Sequence, residues 1–215
     1  EFIFPYGYGV RMITGTIIYN TKLVPPEKVP KGYEDMANPE WKGKLGLPEI
    51  SSHVEFGNWL LEIRKAWGEQ KFTPWLKGMM ANQPIWRTTM PELAKAVGVG
   101  DGALGFVFAT NVTVEWDRGA PVNVVWPNPA YGPATPAIMA SKPPHPNAGK
   151  LYIQFLVTEG LKVLQKIGEE TPVVDETLTI HPVMKGALKV KRLPVSIWPD
   201  ADRKALVAEA EKMLK

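Results

Sequence analysis

The sequence predicts an α/β protein, and three observations carry that reading. Residues 16–19, 103–108 and 121–125 are short, continuous apolar runs, the pattern of strands buried on both faces. Segments with apolar residues at helical spacing lie between them, such as Trp59, Leu60, Ile63 and Trp67. The two patterns alternate along the chain, which is the order that covers a sheet with helices. Composition agrees: 45% hydrophobic and 22% charged residues over 215 positions is globular usage, long enough for one large domain or two small ones.

Residues 16–19 (Thr-Ile-Ile-Tyr) form a strand ended by Asn20-Thr21. Residues 24–31 contain Pro25, Pro26 and Pro30, which cannot donate to a ladder, so a loop follows. A helical turn is expected at 33–36, and a strand at 45–47 closed by Pro48. Ser52-His53-Val54-Glu55 has the form of a capping box and starts a helix running to Gly68. Phe72, Trp75, Leu76, Met79 and Met80 make a second apolar stripe, weakened by Pro74. Thr89-Met90-Pro91-Glu92 is another capping box, with Leu93, Ala94, Ala96 and Val97 continuing the helix until Gly98. After the strands at 103–108 and 121–125, Pro127, Pro129, Gly132, Pro133 and Pro136 make 126–136 a semi-rigid connector. A short strand is expected at 137–140. Helices are expected at 147–158, with Leu151, Phe155 and Leu156 buried, at 160–167 and at 199–214.

Several chemistries are excluded. The chain has no Cys, hence no disulfide, zinc-thiolate site or thiol nucleophile. No run approaches the ~20 apolar residues that span a bilayer. The sequence contains neither a Gly-x-Ser-x-Gly elbow nor a phosphate-binding Gly-x-x-x-x-Gly-Lys loop. Gly98-Val99-Gly100-Asp101-Gly102 follows a helix and precedes a strand, the wrong order for a dinucleotide loop. His53, His145 and His181 lack metal-ligand spacing and read as surface or turn residues, so no metal-ligating residues and no cofactor are expected, a chelated metal remaining open only as a solute. The formal net charge is +3, and the densest basic run, Lys189-Val190-Lys191-Arg192, reads as solvated; nucleic acid is not an expected partner.

What remains is binding. Helix N-termini that directly follow strands present free N–H donors and a positive dipole end, where open α/β sheets hold anions. Ser51 and Ser52 add hydroxyls at one such end; Thr88 and Thr89 add them at the other, with the Arg87 fork beside them. Asn111 follows an apolar strand and is expected in the same cleft, while Trp86 and Tyr131 are aromatic candidates for ligand contact. The plainer alternative is that these Ser and Thr residues only cap helices, at about 1 kcal/mol each.

Four ordered stretches resemble the solute-binding proteins of ABC importers, in the group of ferric-iron and small-anion receptors with a type II periplasmic-binding-protein fold. They are Tyr19-Asn20-Thr21-Lys22-Leu23-Val24; Tyr33-Glu34-Asp35-Met36-Ala37-Asn38-Pro39-Glu40-Trp41-Lys42-Gly43-Lys44; Gly119-Ala120-Pro121-Val122 with Val125-Trp126-Pro127; and Ala137-Ile138-Met139-Ala140 with Pro144-His145-Pro146-Asn147-Ala148-Gly149-Lys150 and the helix to Glu159-Gly160. Pro172-Val173 and Asp175 fit the C-terminal pattern. The resemblance implies two α/β lobes with solute in the cleft between them. On that basis 12–125 is the complete second lobe, and 1–11 with 126–215 is the crossover and C-terminal part of a first lobe that lacks its N-terminal segment. It further implies a periplasmic or extracellular, membrane-associated protein whose partners are a small solute and the permease subunits. Iron-binding members use adjacent tyrosines in this lobe, but the matching residues 106–114 contain no Tyr, and Thr or Asn cannot replace phenolates. An α/β enzyme of transferase type reusing the two-lobed fold is the alternative, and a ligand-free interaction module is a third. The 137–155 side is expected to expose apolar surface, covered by another copy or by the lacking segment.

Overall fold

In the computed structural model, which describes residues 3–4, 7–169 and 181–214, the strands form two sheets. The smaller has the order β1 (Ile3–Phe4), β2 (Gly7–Met12), β8 (Ala134–Ile138), all antiparallel. The larger comprises β3 (Gly15–Asn20), β4 (Leu45–Pro48), β5 (Ile85–Arg87), β6 (Leu104–Phe108) and β7 (Val122–Val125), in the order β5-β4-β6-β3-β7. Strands β4, β5 and β6 run parallel, and β3 runs antiparallel to β6 and β7. Parallel neighbours require long crossovers. Here they are α1 (Val54–Trp67) with α2 (Glu69–Ala81), and then α3 (Met90–Val99). Helix α4 (Ala109–Asp117) links β6 to β7; α5 (Pro146–Phe155), α6 (Leu161–Lys166) and α7 (Asp200–Met213) follow.

The helical stripes are buried as their spacing requires. Trp59, Leu60 and Ile63 of α1 and Phe72, Leu76, Met79 and Met80 of α2 are all nearly or fully covered. Pro74 lies inside α2 without stopping it. A Pro there costs roughly 3 kcal/mol, but each buried Leu, Met or Phe returns about 1.5–3 kcal/mol.

The structure departs from the sequence reading where tertiary contacts outweigh local pattern. No Ser52–Glu55 box forms: His53 is the N-cap of α1, without a side-chain cap, and the Ser52 hydroxyl donates to the Glu49 carboxylate at 3.2 Å. Helix α4 was not anticipated from its β-branched sequence. It is held by burial of Val112, Thr113 and Glu115. Strand β8 lies earlier than 137–140. Helix α5 has no buried residue: Leu151 is 68% and Phe155 48% exposed. With Ile138 and Tyr152 also exposed, the 137–155 side carries the expected apolar surface.

The chain after 126 does not stay with the small sheet. The Ala130 N–H donates to Lys191 O and the Leu193 N–H to Ala130 O, each at 2.8 Å. Leu206 and Ala210 bring α7 into the core formed by α1 and α2. Pro172, Val173 and Asp175 lie outside the described residues.

Candidate functional site

The three parallel strands end on one edge of the large sheet, and each is followed by a helix N-terminus: α1 after β4, α3 after β5, α4 after β6. Gly15 at the start of β3 pairs with Phe108 at the end of β6, so the segment entering from the small sheet reaches the same edge.

The three helix ends are not equivalent. At α3 the expected capping box is present: the Glu92 N–H donates to Thr89 Oγ1 at 3.3 Å and the Thr89 N–H to Glu92 Oε2 at 3.2 Å. Those donors are taken, and Glu92 already faces the dipole. At α1 the first turn carries Glu55, which accepts a 2.5 Å bond from the Tyr131 hydroxyl and a longer one from Asn58. Helix α4 has no acid in its first turn and no side-chain cap. Its first N–H donates to Thr14 O at 3.0 Å. Thr110 is 8% exposed, and the Asn111 Oδ1 is buried without a partner. The positive end of α4 is therefore the one that neither an acid nor a cap of its own occupies.

His53 joins the β4 and β6 ends. Its ring meets Phe108 edge-on at 6.5 Å between centroids, and its Nδ1 is buried without a partner. Burial lowers the His53 pKa below 6.5, with Glu55 opposing weakly, so the ring is held neutral. The unfolded chain then binds this proton more readily than the folded one. Stability rises with pH across the window and is lost as pH falls below about 6.5. The expected result is that thermal melts at pH 7 and pH 5 differ less for His53→Gln than for the parent; an equal difference would show that His53 is not linked to folding.

Ser51, Ser52, Thr88 and Thr89 lie exposed on the β4–α1 and β5–α3 turns, and Asn111 on the first turn of α4, so these five share the edge. Trp86 and Arg87 do not join them. They line a groove of about 430 Å³ on the flank between β5 and α3, with Thr88 at its rim. The Arg87 guanidinium donates to Trp86 O at 3.0 Å and lies 3.7 Å from the Asp101 carboxylate. Tyr131 is fully buried, not lining a pocket. Burial, followed by the adjacent Glu55 carboxylate, pushes its phenol far above the usual range, and burial does the same to Tyr33; both act as hydroxyl donors, not as phenolate ligands. Among the described residues no three His, Cys, Asp or Glu side chains cluster to hold a metal ion.

Sequence reasoning missed His53, Phe108 and Thr110. A usable signal was present: each lies directly at a strand-to-helix junction, where side chains at an open sheet edge meet a ligand.

A parallel-centred sheet with helix ends along one edge, joined by two crossovers to a second sheet, is the fold seen in periplasmic binding proteins. The chain belongs to the family of bacterial extracellular solute-binding proteins, which it matches over residues 5–192. It is 28% identical over 101 residues to the Fe(3+)-binding periplasmic protein of Serratia marcescens, a stretch covering 46% of this chain and 29% of that one. Its fold is similar to iron-bound HitA from Pseudomonas aeruginosa, at 20% identity and TM-score 0.68, covering 97% of this chain and 68% of that one. It is also similar to AfuA from Actinobacillus pleuropneumoniae with fructose-6-phosphate bound, at 19% identity and TM-score 0.70, covering 97% and 66%. The chain thus spans about two thirds of those structures and under a third of the Serratia protein.

Proposed function

We propose that this chain receives a small anionic or oxygen-rich solute at the shared ends of β4, β5 and β6, and presents it to the permease of an ABC importer outside the cytoplasmic membrane. The observation that carries this reading is the acid-free N-terminus of α4, which has no side-chain cap, with the buried, unpartnered Asn111 Oδ1 in its first turn. An amide can present either its oxygen or its NH₂, so Asn111 can donate to an oxyanion that the dipole attracts. Ser51, Ser52 and Thr88 add hydroxyls along the same edge, and His53 supplies an uncharged ring nitrogen. No covalent step is proposed, because binding needs only differential contact in the open and closed arrangements.

A metal, if carried, enters as a chelate whose anionic groups meet α4. Residues 106–114 supply no phenolate and the described residues no carboxylate or imidazole cluster. The names of the relatives, one ferric and one sugar-phosphate, fit either cargo.

Calorimetric titration with inorganic phosphate and with ferric citrate tests the reading. Asn111→Asp places a like charge in the first turn of α4 and is expected to weaken binding at least about tenfold, or roughly 1.4 kcal/mol. Arg87→Ala, on the flank, is expected to change it by less than about twofold, because a side chain outside the cleft contributes no solute contact. Equal affinity of Asn111→Asp and the parent would remove α4 from the site. A large loss in Arg87→Ala would move the site to the flank groove. Hydrolysis of a phosphate-ester probe would favour an enzyme instead.

A further inference from the structure

Two crossovers leave the small sheet for the large one, 13–14 and 126–133, and hydrogen bonds tie them together. The Ile13 N–H donates to Pro133 O at 3.1 Å, and the Gly15 N–H to Tyr131 O at 2.8 Å. The Tyr33 hydroxyl donates to Gly15 O at 2.8 Å and accepts the Tyr131 N–H at 3.2 Å, so one phenol bridges both crossovers. A third segment locks on from the other side: Ala130 exchanges backbone bonds with Lys191 and Leu193, and the Arg192 guanidinium contacts Thr14 Oγ1.

Each helix end that brackets the cleft is fastened to one crossover. On the α4 side, Ala109 N–H donates to Thr14 O. On the α1 side, the Tyr131 hydroxyl donates to Glu55 at 2.5 Å. The first is a backbone bond, present whatever the side chain. The second depends wholly on one hydroxyl and one carboxylate, which sits one turn from Ser52 and His53. The bond is part-buried and is carried on the ring of a fully buried Tyr131.

We propose that the Tyr131–Glu55 bond is a latch that sets the angle between the small sheet and the five-stranded lobe, making Tyr131 and Glu55 positioning residues for the cleft. Rotation of the small sheet pulls on residues 132–133, next to the anchored Tyr131, and the latch passes that strain to the first turn of α1. Solute contacting that turn therefore feels the crossover, and the crossover feels the solute. This consequence for the cleft rests on the site reading above; the latch itself does not.

The experiment needs no solute, so its failure is separate from a failure to bind one. The chain contains no Cys, so cysteines introduced at Lys77 on α2 and Tyr8 on β2, both exposed, accept spin labels at those two places alone. Pulsed electron spin resonance then reads the distribution of distances between lobe and small sheet. The parent is expected to show a narrow distribution. Tyr131→Phe, which deletes only the hydroxyl, is expected to broaden it, and Glu55→Ala to broaden it equally. Glu55→Gln keeps an acceptor oxygen and is expected to restore the narrow width. An unchanged width in Tyr131→Phe overturns the latch, even if the melting temperature falls. Broadening in Glu55→Gln as large as in Glu55→Ala also overturns it.

Discussion

Trp59→Ala is expected to cost about 3–5 kcal/mol of stability, the range for truncating a large aromatic in a packed core. Trp59 is fully buried and stacks on Phe106 at 3.9 Å between ring centroids. Tyr33, Phe56 and Trp75 surround it at 5.1, 5.3 and 5.6 Å. Each favourable aromatic pair adds about 0.5–1.5 kcal/mol beyond area burial. The cluster fastens α1 and α2 to β6 and supports Tyr33, the phenol that bridges both crossovers. A domain stable by only about 5–15 kcal/mol has little margin for such a loss. The urea midpoint should fall sharply with an unchanged slope. A loss below about 1 kcal/mol would mean that the neighbours close over the void, or that Trp59 is not the centre of the core.

Glu62→Ala is expected to cost about 2–5 kcal/mol and to detach the C-terminal segment. Glu62 is 2% exposed. Its Oε1 accepts the Trp198 indole N–H at 2.8 Å and also the Ser196 backbone N–H. Removing it deprives both part-buried donors of their acceptor, at up to about 1–3 kcal/mol each. Lys65 reinforces the attachment, donating to Ser196 Oγ at 2.8 Å with its ammonium over the Trp198 ring. Limited proteolysis should then cut the variant between residues 190 and 199 before the rest of the chain. Glu62→Gln keeps one acceptor and should lose less. Unaltered protease resistance in Glu62→Ala would show that Leu206, Ala210 and the Arg64–Glu209 and Arg203–Asn58 bonds suffice to hold α7.

Much of the fold was legible because it rests on local repetition. The α1 and α2 stripes at helical spacing, the apolar runs that became β3, β6 and β7, and the Thr89–Glu92 box all formed where they were read. Helix α4 was not legible. Thr110, Val112 and Thr113 favour strand on propensity, and only their burial against the sheet selects helix. Helix α5 shows the converse: its stripe is plain in sequence, yet Leu151 and Phe155 stay exposed because no described segment covers them.

The candidate site divides the same way. Residue type and spacing by themselves identified two strand ends followed by helix starts, put Ser51, Ser52, Thr88 and Thr89 at them and Asn111 after a further strand, and excluded thiol chemistry. Only the tertiary structure decided which helix end stays open, because that depends on partners from distant segments. Glu92 closes α3 from within, but Glu55 reaches α1's surroundings through Tyr131, 76 positions away. Arg87 lines the flank groove, where its guanidinium donates to the Trp86 carbonyl and lies 3.7 Å from the Asp101 carboxylate. Periodicity reports which face of an element is apolar. It carries no information about which polar group, brought from elsewhere in the chain, takes a given donor first.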